Sequence, residues 1–350
     1  MARPDLTDDV RAVAKQLGVP TRTDPTDLIV ERCLHKVALW CAELGPVSTL
    51  PEFLDLVSAK LCLHFEIVRS ETELAEVKRR YLEQKELSFV DIEREFNATT
   101  DAVVIRLQNQ PSWSSVRYVA VVDGRGTKGA RIWFSQWHEI AHLLAEPQTK
   151  FVFRRTQAFK REPVERLMDR IAAALAFYEP LFLPALSAAG IDVDQPRLRE
   201  LQEFASESCA FASLQATLHA ALRHVATPAV LIEAKLGLKQ EEHRRLQGAQ
   251  VERLPSASDE CATKLRAVTT AHNPAALRAK LFIHRNMRIP AQSIIMHVFG
   301  DESDAEFRVS EENLDWWESR GTRLTSRSLK VEAMRAGSDR VLALCLFSGK

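Results

Sequence analysis

Apolar residues recur every three or four positions over Leu6–Leu17, Leu28–Leu44 and Pro51–Leu63, a spacing that predicts three amphipathic helices. Ser70–Lys85 predicts a fourth, more polar one, and loops at Gly18-Val19-Pro20 and Gly45-Pro46-Val47 punctuate the series. The pattern then changes to short runs rich in β-branched and aromatic residues. Ala102–Leu107, Arg117–Asp123 and Ala130–Ser135 predict three strands of a small sheet. Between the last two stands Gly124-Arg125-Gly126-Thr127-Lys128-Gly129, a Gly-x-Gly-x-x-Gly string. Followed by a predicted strand, it reads as a hairpin turn, because phosphate binding needs a helix N-terminus there.

From His138 to about Lys280 helical periodicity returns, broken at Pro147, Gly190–Pro196, Pro228 and Pro255. Strand-like alternation then marks Leu281–Ile283, Ser293–Val298, Glu306–Val309, Thr322–Met334 and Arg340–Phe347. The expected fold class is α+β. The expected organisation is an N-terminal helical extension over 1–50, a main domain over 51–275 and a C-terminal β-rich α+β module over 276–350.

Composition narrows the function classes. The 350 residues are 46% hydrophobic and 27% charged, as in an ordinary globular protein. Lys+Arg and Asp+Glu each number 47, so no global positive field gathers nucleic acid or anionic lipid. Ala14–Val19 has the look of a helix-turn-helix opening, but no recognition helix follows, and residues 1–50 carry six basic against seven acidic side chains. Direct nucleic-acid binding is therefore not expected. No apolar run approaches the roughly 18 residues of a membrane span, and Met1–Asp9 lacks a signal-peptide core, so the expected compartment is the cytoplasm. Six cysteines, at 33, 41, 62, 209, 261 and 345, form no Cys-x-x-Cys pair and read as reduced thiols.

One string carries chemistry: Trp137-His-Glu-Ile-Ala-His-Leu-Leu144, an H-E-x-x-H motif. On a helix His138 and His142 emerge one turn apart on one face, where both imidazoles can hold one metal ion. Glu139, about 100° around from His138, is placed to act as a general base without ligating. A catalytic zinc site wants a third protein ligand. The following segment, Lys160–Leu175, opens a helix with Pro163 in its first turn and sets Glu162, Glu165 and Asp169 on its polar face. Glu165 is the expected third ligand, and Asp169, four residues on, the carboxylate that orients a ligating imidazole. For an oxyanion donor, Tyr178 falls on another side of an ideal helix, and His219 and His224 are the remaining candidates. No Pro-Cys-x-x-Cys string accompanies the motif, which excludes zinc-dependent deamination.

These residues resemble the ImmA/IrrE metallopeptidases, a gluzincin-like family. The likeness rests on the run Ala130–Ser135 leading into Trp137–Leu144, then Glu165-x-x-Met168-Asp169-x-Ile171-Ala172-Ala173 in place of the family's Glu-x-x-Ala-Asn-x-Phe-Ala. It covers roughly residues 50–180, and the 23 positions from His142 to Glu165 suit the family's spacing. The chain departs from the pattern at Met168, Asp169 and Ile171, and at Ala176-Phe-Tyr-Glu-Pro180 where the family often has Leu-Leu-Met-Pro. The resemblance implies a mostly helical zincin-like peptidase domain with one zinc ion per chain, in a site whose ligands also tolerate manganese. It further implies a peptidase of stress response or mobile-element control, cutting a separate helix-turn-helix transcriptional repressor. The alternative is a metal-containing regulatory protein that binds its partner without cleaving it. Trp316-Trp317, beside the acidic stretch Asp301–Glu318, reads either as a surface for a partner or signal or as ordinary packing.

Overall fold

The computed structural model describes residues 7–97, 100–109, 114–145, 152–156 (backbone), 162–238, 263–301, 307–319 and 322–347. Pro147, Pro255 and Cys261 lie outside these residues; the five described cysteines are free thiols. The chain is α+β and divides into two compact units. One runs to Ala185 and includes Phe211–Ser213; the other comprises Leu186–Ala210 and the chain from Leu214 onward.

The first unit opens with α1 (Asp8–Gln16), α2 (Thr26–Leu44) and α3 (Leu50–Lys60), close to the periodicity-based expectation. The start of α3 is fixed by a capping box: Thr49 accepts from the Glu52 amide while Glu52 accepts from the Thr49 amide. Next come β1 (Leu63–Val68), α4 (Glu71–Glu83), α5 (Ile92–Glu95), β2 (Thr100–Arg106) and β3 (Tyr118–Asp123). The remaining elements are α6 (Ile132–Ala145), β4 (Val152–Thr156) and α7 (Pro163–Ala176), with α8 (Glu179–Ala188) at the boundary between the units. Residues 1–50 are thus no extension, since α1 and α2 pack on α7.

The sheet has four strands in the order β1-β3-β2-β4, with β1 and β3 parallel and the other pairs antiparallel. Two of its strands are those expected; the third expected strand, Ala130–Ser135, is helical. Its aromatic and β-branched residues have strand propensity, but they also begin the three-to-four spacing Trp133, Trp137, Ile140, Leu144, and packing selects the helix. Strand residues alternate between two covered faces. Val103, Ile105, Val119 and Val121 pack with Leu74, Val77 and neighbouring apolar residues of α4 and α5. Ala102, Val104, Ala120 and Val122 point the other way and are equally buried, and the sheet carries α6. α6 in turn meets α2, α3 and α7, which explains why nearly its whole circumference is buried.

The second unit contains α9 (Leu198–Glu207), α10 (Leu214–Leu222), β5 (Ala229–Gly237), β6 (Lys264–His272), α11 (Pro274–Arg278), α12 (Ile294–Gly300), β7 (Arg308–Asn313), β8 (Glu318–Ser319), β9 (Thr322–Arg323), β10 (Ser328–Arg335) and β11 (Arg340–Phe347). Its antiparallel sheet runs β6-β5-β11-β10-β7. Two expectations are corrected here. Helical periodicity does not persist to Lys280, because β5 and β6 interrupt it. The domain boundary expected at 275 falls inside one sheet, since Ala229–Lys235 pairs with Arg340–Leu346. Ser293–Val298, expected as a strand, is α12, capped by the Ser293 hydroxyl; Leu281–Ile283 lies in no strand. Trp317 is fully buried in this unit's core and Trp316 packs against it, so the tryptophan pair is packing. Among the described residues no single helix is long and apolar enough to cross a membrane.

Candidate metal centre

α6 and α7 pack against each other and bring the expected residues together. His138 and His142, 1% and 2% exposed, sit one turn apart on α6. Glu165 stands in the first turn of α7, which begins at Pro163 as the sequence implied. The His138 Nε2 lies 3.2 Å from the His142 Nε2 and 3.2 Å from the Glu165 Oε2, and the His142 Nε2 lies 3.5 Å from the Glu165 Oε1. A four-coordinate ion about 2.0–2.1 Å from each ligand separates its ligands by about 3.3–3.4 Å, so this triangle has the size a first-row divalent ion requires. His138, His142 and Glu165 form a group that could hold a metal ion.

The tautomer is set from behind. The His138 Nδ1 is 3.0 Å from the Asp169 Oδ1, and a carboxylate only accepts, so Nδ1 carries the proton and Nε2 presents its lone pair to the group. Asp169 is one turn beyond Glu165, which is why one helix supplies both contacts. Burial pushes the Glu165 carboxyl up, but with the imidazoles protonated the hydrogen bonds and charge of His138 and His142 outweigh it and hold the group well below the usual carboxylate range. Glu165 therefore stays ionised. Glu162 is exposed at the N-cap of α7 and does not belong to the cluster. Glu139 is fully buried on α6.

The Tyr178 ring stacks on Phe53 at 4.5 Å, and Phe53 stacks on Trp137, so the tyrosine belongs to an aromatic pile. His219 and His224 lie in the second unit. Burial, and then Arg223, push the His219 pKa down.

Two features escaped the sequence reading. Trp133 donates from Nε1 to the Ala176 carbonyl at 3.1 Å, tying the start of α6 to the end of α7. The Gly-rich string is not a hairpin turn: it passes through a 3-10 segment, Gly126–Arg131, directly into α6. Folding accounts for two of the glycines. A Cβ on Gly124 would meet the Ile132 side chain at 2.8 Å, and Gly126 has φ +56°. The basic residues of the string turn inward to Asp123. Burial raises that carboxyl, but hydrogen bonds from Arg125 and Lys128 more than offset the effect and lower its pKa. An Asp ending an apolar strand just before Gly-Arg-Gly-Thr-Lys-Gly was the available signal.

No protein-family model matches the chain, and no match was found among curated proteins.

Proposed function

We propose that this chain is a zinc-dependent endopeptidase of the ImmA/IrrE type that hydrolyses a peptide bond in a regulatory protein. The observation that carries the reading is the convergence of His138, His142 and Glu165 from two packed helices, with Glu139 beside His138 in the H-E-x-x-H frame. The donor set fits zinc in kind, two imidazoles and one carboxylate, and among the described residues supplies three ligands, the number that catalytic sites use beside a water. When bound, such an ion supplies Lewis acidity, polarising a carbonyl oxygen and making water acidic near neutral pH. Glu139 accepts the proton of the attacking water and returns it to the leaving amine. Asp169 holds His138 in the ligating tautomer. The substrate class, a separate helix-turn-helix repressor, follows from the family resemblance, as does the role in stress response or mobile-element control.

The experiment combines metal analysis with one variant. Wild type should carry about one zinc per chain, and Glu139→Gln should keep the zinc and lose cleavage of the partner repressor. A folded wild type that takes up no zinc overturns the reading. Partner binding without cleavage, unchanged in Glu139→Gln, selects the non-catalytic alternative.

A further inference from the structure

The helix that carries both imidazoles is gripped at its head by a charged clamp. Asp123, 2% exposed at the end of β3, accepts at Oδ1 from the Arg125 amide (3.1 Å) and Nε (2.8 Å), and at Oδ2 from the Arg125 Nη2 (3.0 Å) and the Lys128 Nζ (2.7 Å). The Lys128 ammonium also donates to the carbonyls of Asn97 and Thr100, both at 2.7 Å, so its three protons are all used. One lysine thus ties the segment entering α6 to the ends of β2 and β3. Arg125 reaches further, to Glu71 at the start of α4.

Apolar residues can close a buried turn as stably as ion pairs, because desolvation offsets much of the attraction between charges. What this network supplies beyond burial is direction: its donors converge on Asp123 and on the Asn97 and Thr100 carbonyls, holding the 3-10 segment that leads into Ile132. The metal group depends on that start. Its third member, Glu165, stands on α7, which the clamp does not touch and which meets α6 through the His138–Asp169 and Trp133–Ala176 hydrogen bonds, so a small screw or slide of α6 would strain those ties and shift His138 and His142 relative to Glu165.

We propose that Asp123 and Lys128 are positioning residues for the metal centre, acting through the register of α6. The inference rests on the metallopeptidase reading for its purpose, though not for its test. The experiment compares Asp123→Asn and Lys128→Met with Val77→Ala, a control that loosens the opposite face of the same sheet. The first readout is zinc affinity by chelator competition. Both clamp variants should bind at least about tenfold more weakly than wild type, since ligands displaced by a fraction of an ångström no longer close on one ion. Val77→Ala should bind like wild type even where its apo melting temperature is equally lowered, and Lys128→Arg should recover most of the affinity. The second readout needs no metal. The downfield His138 Nδ1 proton, which is donated to Asp169 and assigned by its loss in Asp169→Ala, should shift or broaden in the apo clamp variants and persist in Val77→Ala.

Clamp variants that bind zinc within twofold of wild type and keep that proton in place overturn the positioning role. If wild type binds no zinc, the metallopeptidase reading falls, and the proton resonance alone decides the clamp.

Discussion

The Asp169 Oδ1 meets the His138 Nδ1 at 3.0 Å across the interface of two helices, so the residue that orients the imidazole is carried by the helix that also brings Glu165. The two contacts make α7 half of the centre rather than a neighbour of it.

Removing the orienting carboxylate should therefore cost metal affinity without unfolding the protein. Asp169→Ala is expected to weaken zinc binding about 10–100-fold. Asp169→Asn, whose Oδ1 still accepts, should fall between that variant and wild type. Glu165→Ala should abolish stoichiometric binding, and Glu162→Ala should leave it unchanged. Mass-spectrometric metal content after dialysis, with circular dichroism as the check on folding, measures all four. Equal losses in Glu162→Ala and Glu165→Ala would contradict the assigned ligand.

The Trp133 indole supplies the second tie between these helices. Trp133→Phe keeps most of the ring that packs in an edge-on contact with Trp137, but removes the donor to the Ala176 carbonyl. A buried carbonyl left without its donor costs about 1–3 kcal/mol. The expected outcome is a urea midpoint lowered accordingly, in apo and metal-loaded protein alike. A midpoint unchanged in both forms would show that the bond contributes nothing.

The metal ligands were legible because their spacing is local. Four positions separate two imidazoles on one helical face, and an amphipathic helix with Pro163 at its start displays Glu165 and Asp169. What could not be read depends on distant residues. β1 follows α3 after two residues, and its Leu63 continues the helical spacing; a parallel partner, β3, beginning 55 positions later, makes it a strand. The run Ser293–Val298 has the β-branched character of a strand, yet Glu312 accepts from the Ser293 hydroxyl and the Ile294 amide and holds it as a helix end. β5 reads as helix until β11 pairs with it across more than a hundred residues. Propensity yields wherever such pairing covers both faces of a segment.

Glu312 also makes the second unit sensitive to pH. Its side chain is 3% exposed, and burial pushes its carboxyl above the usual range despite donation from the Ile294 amide and the Ser293 hydroxyl and the nearby His297. A carboxyl whose folded pKa is raised contributes stability in full below its unfolded value, about 4.3, and loses that contribution as pH rises through the folded value. Ionising the buried group is therefore an increasing cost as the pH rises. Gln at this position has nearly the same shape and can accept the same two hydrogen bonds through its carbonyl oxygen, without a charge to desolvate. Glu312→Gln should thus be more stable than wild type at pH 8, and its advantage should shrink steadily as the pH falls toward 4. Urea unfolding of both proteins across that range measures the difference directly, and the subtraction removes the titration of every other carboxylate. An advantage that is flat with pH would mean that Glu312 titrates alike in the folded and unfolded chain.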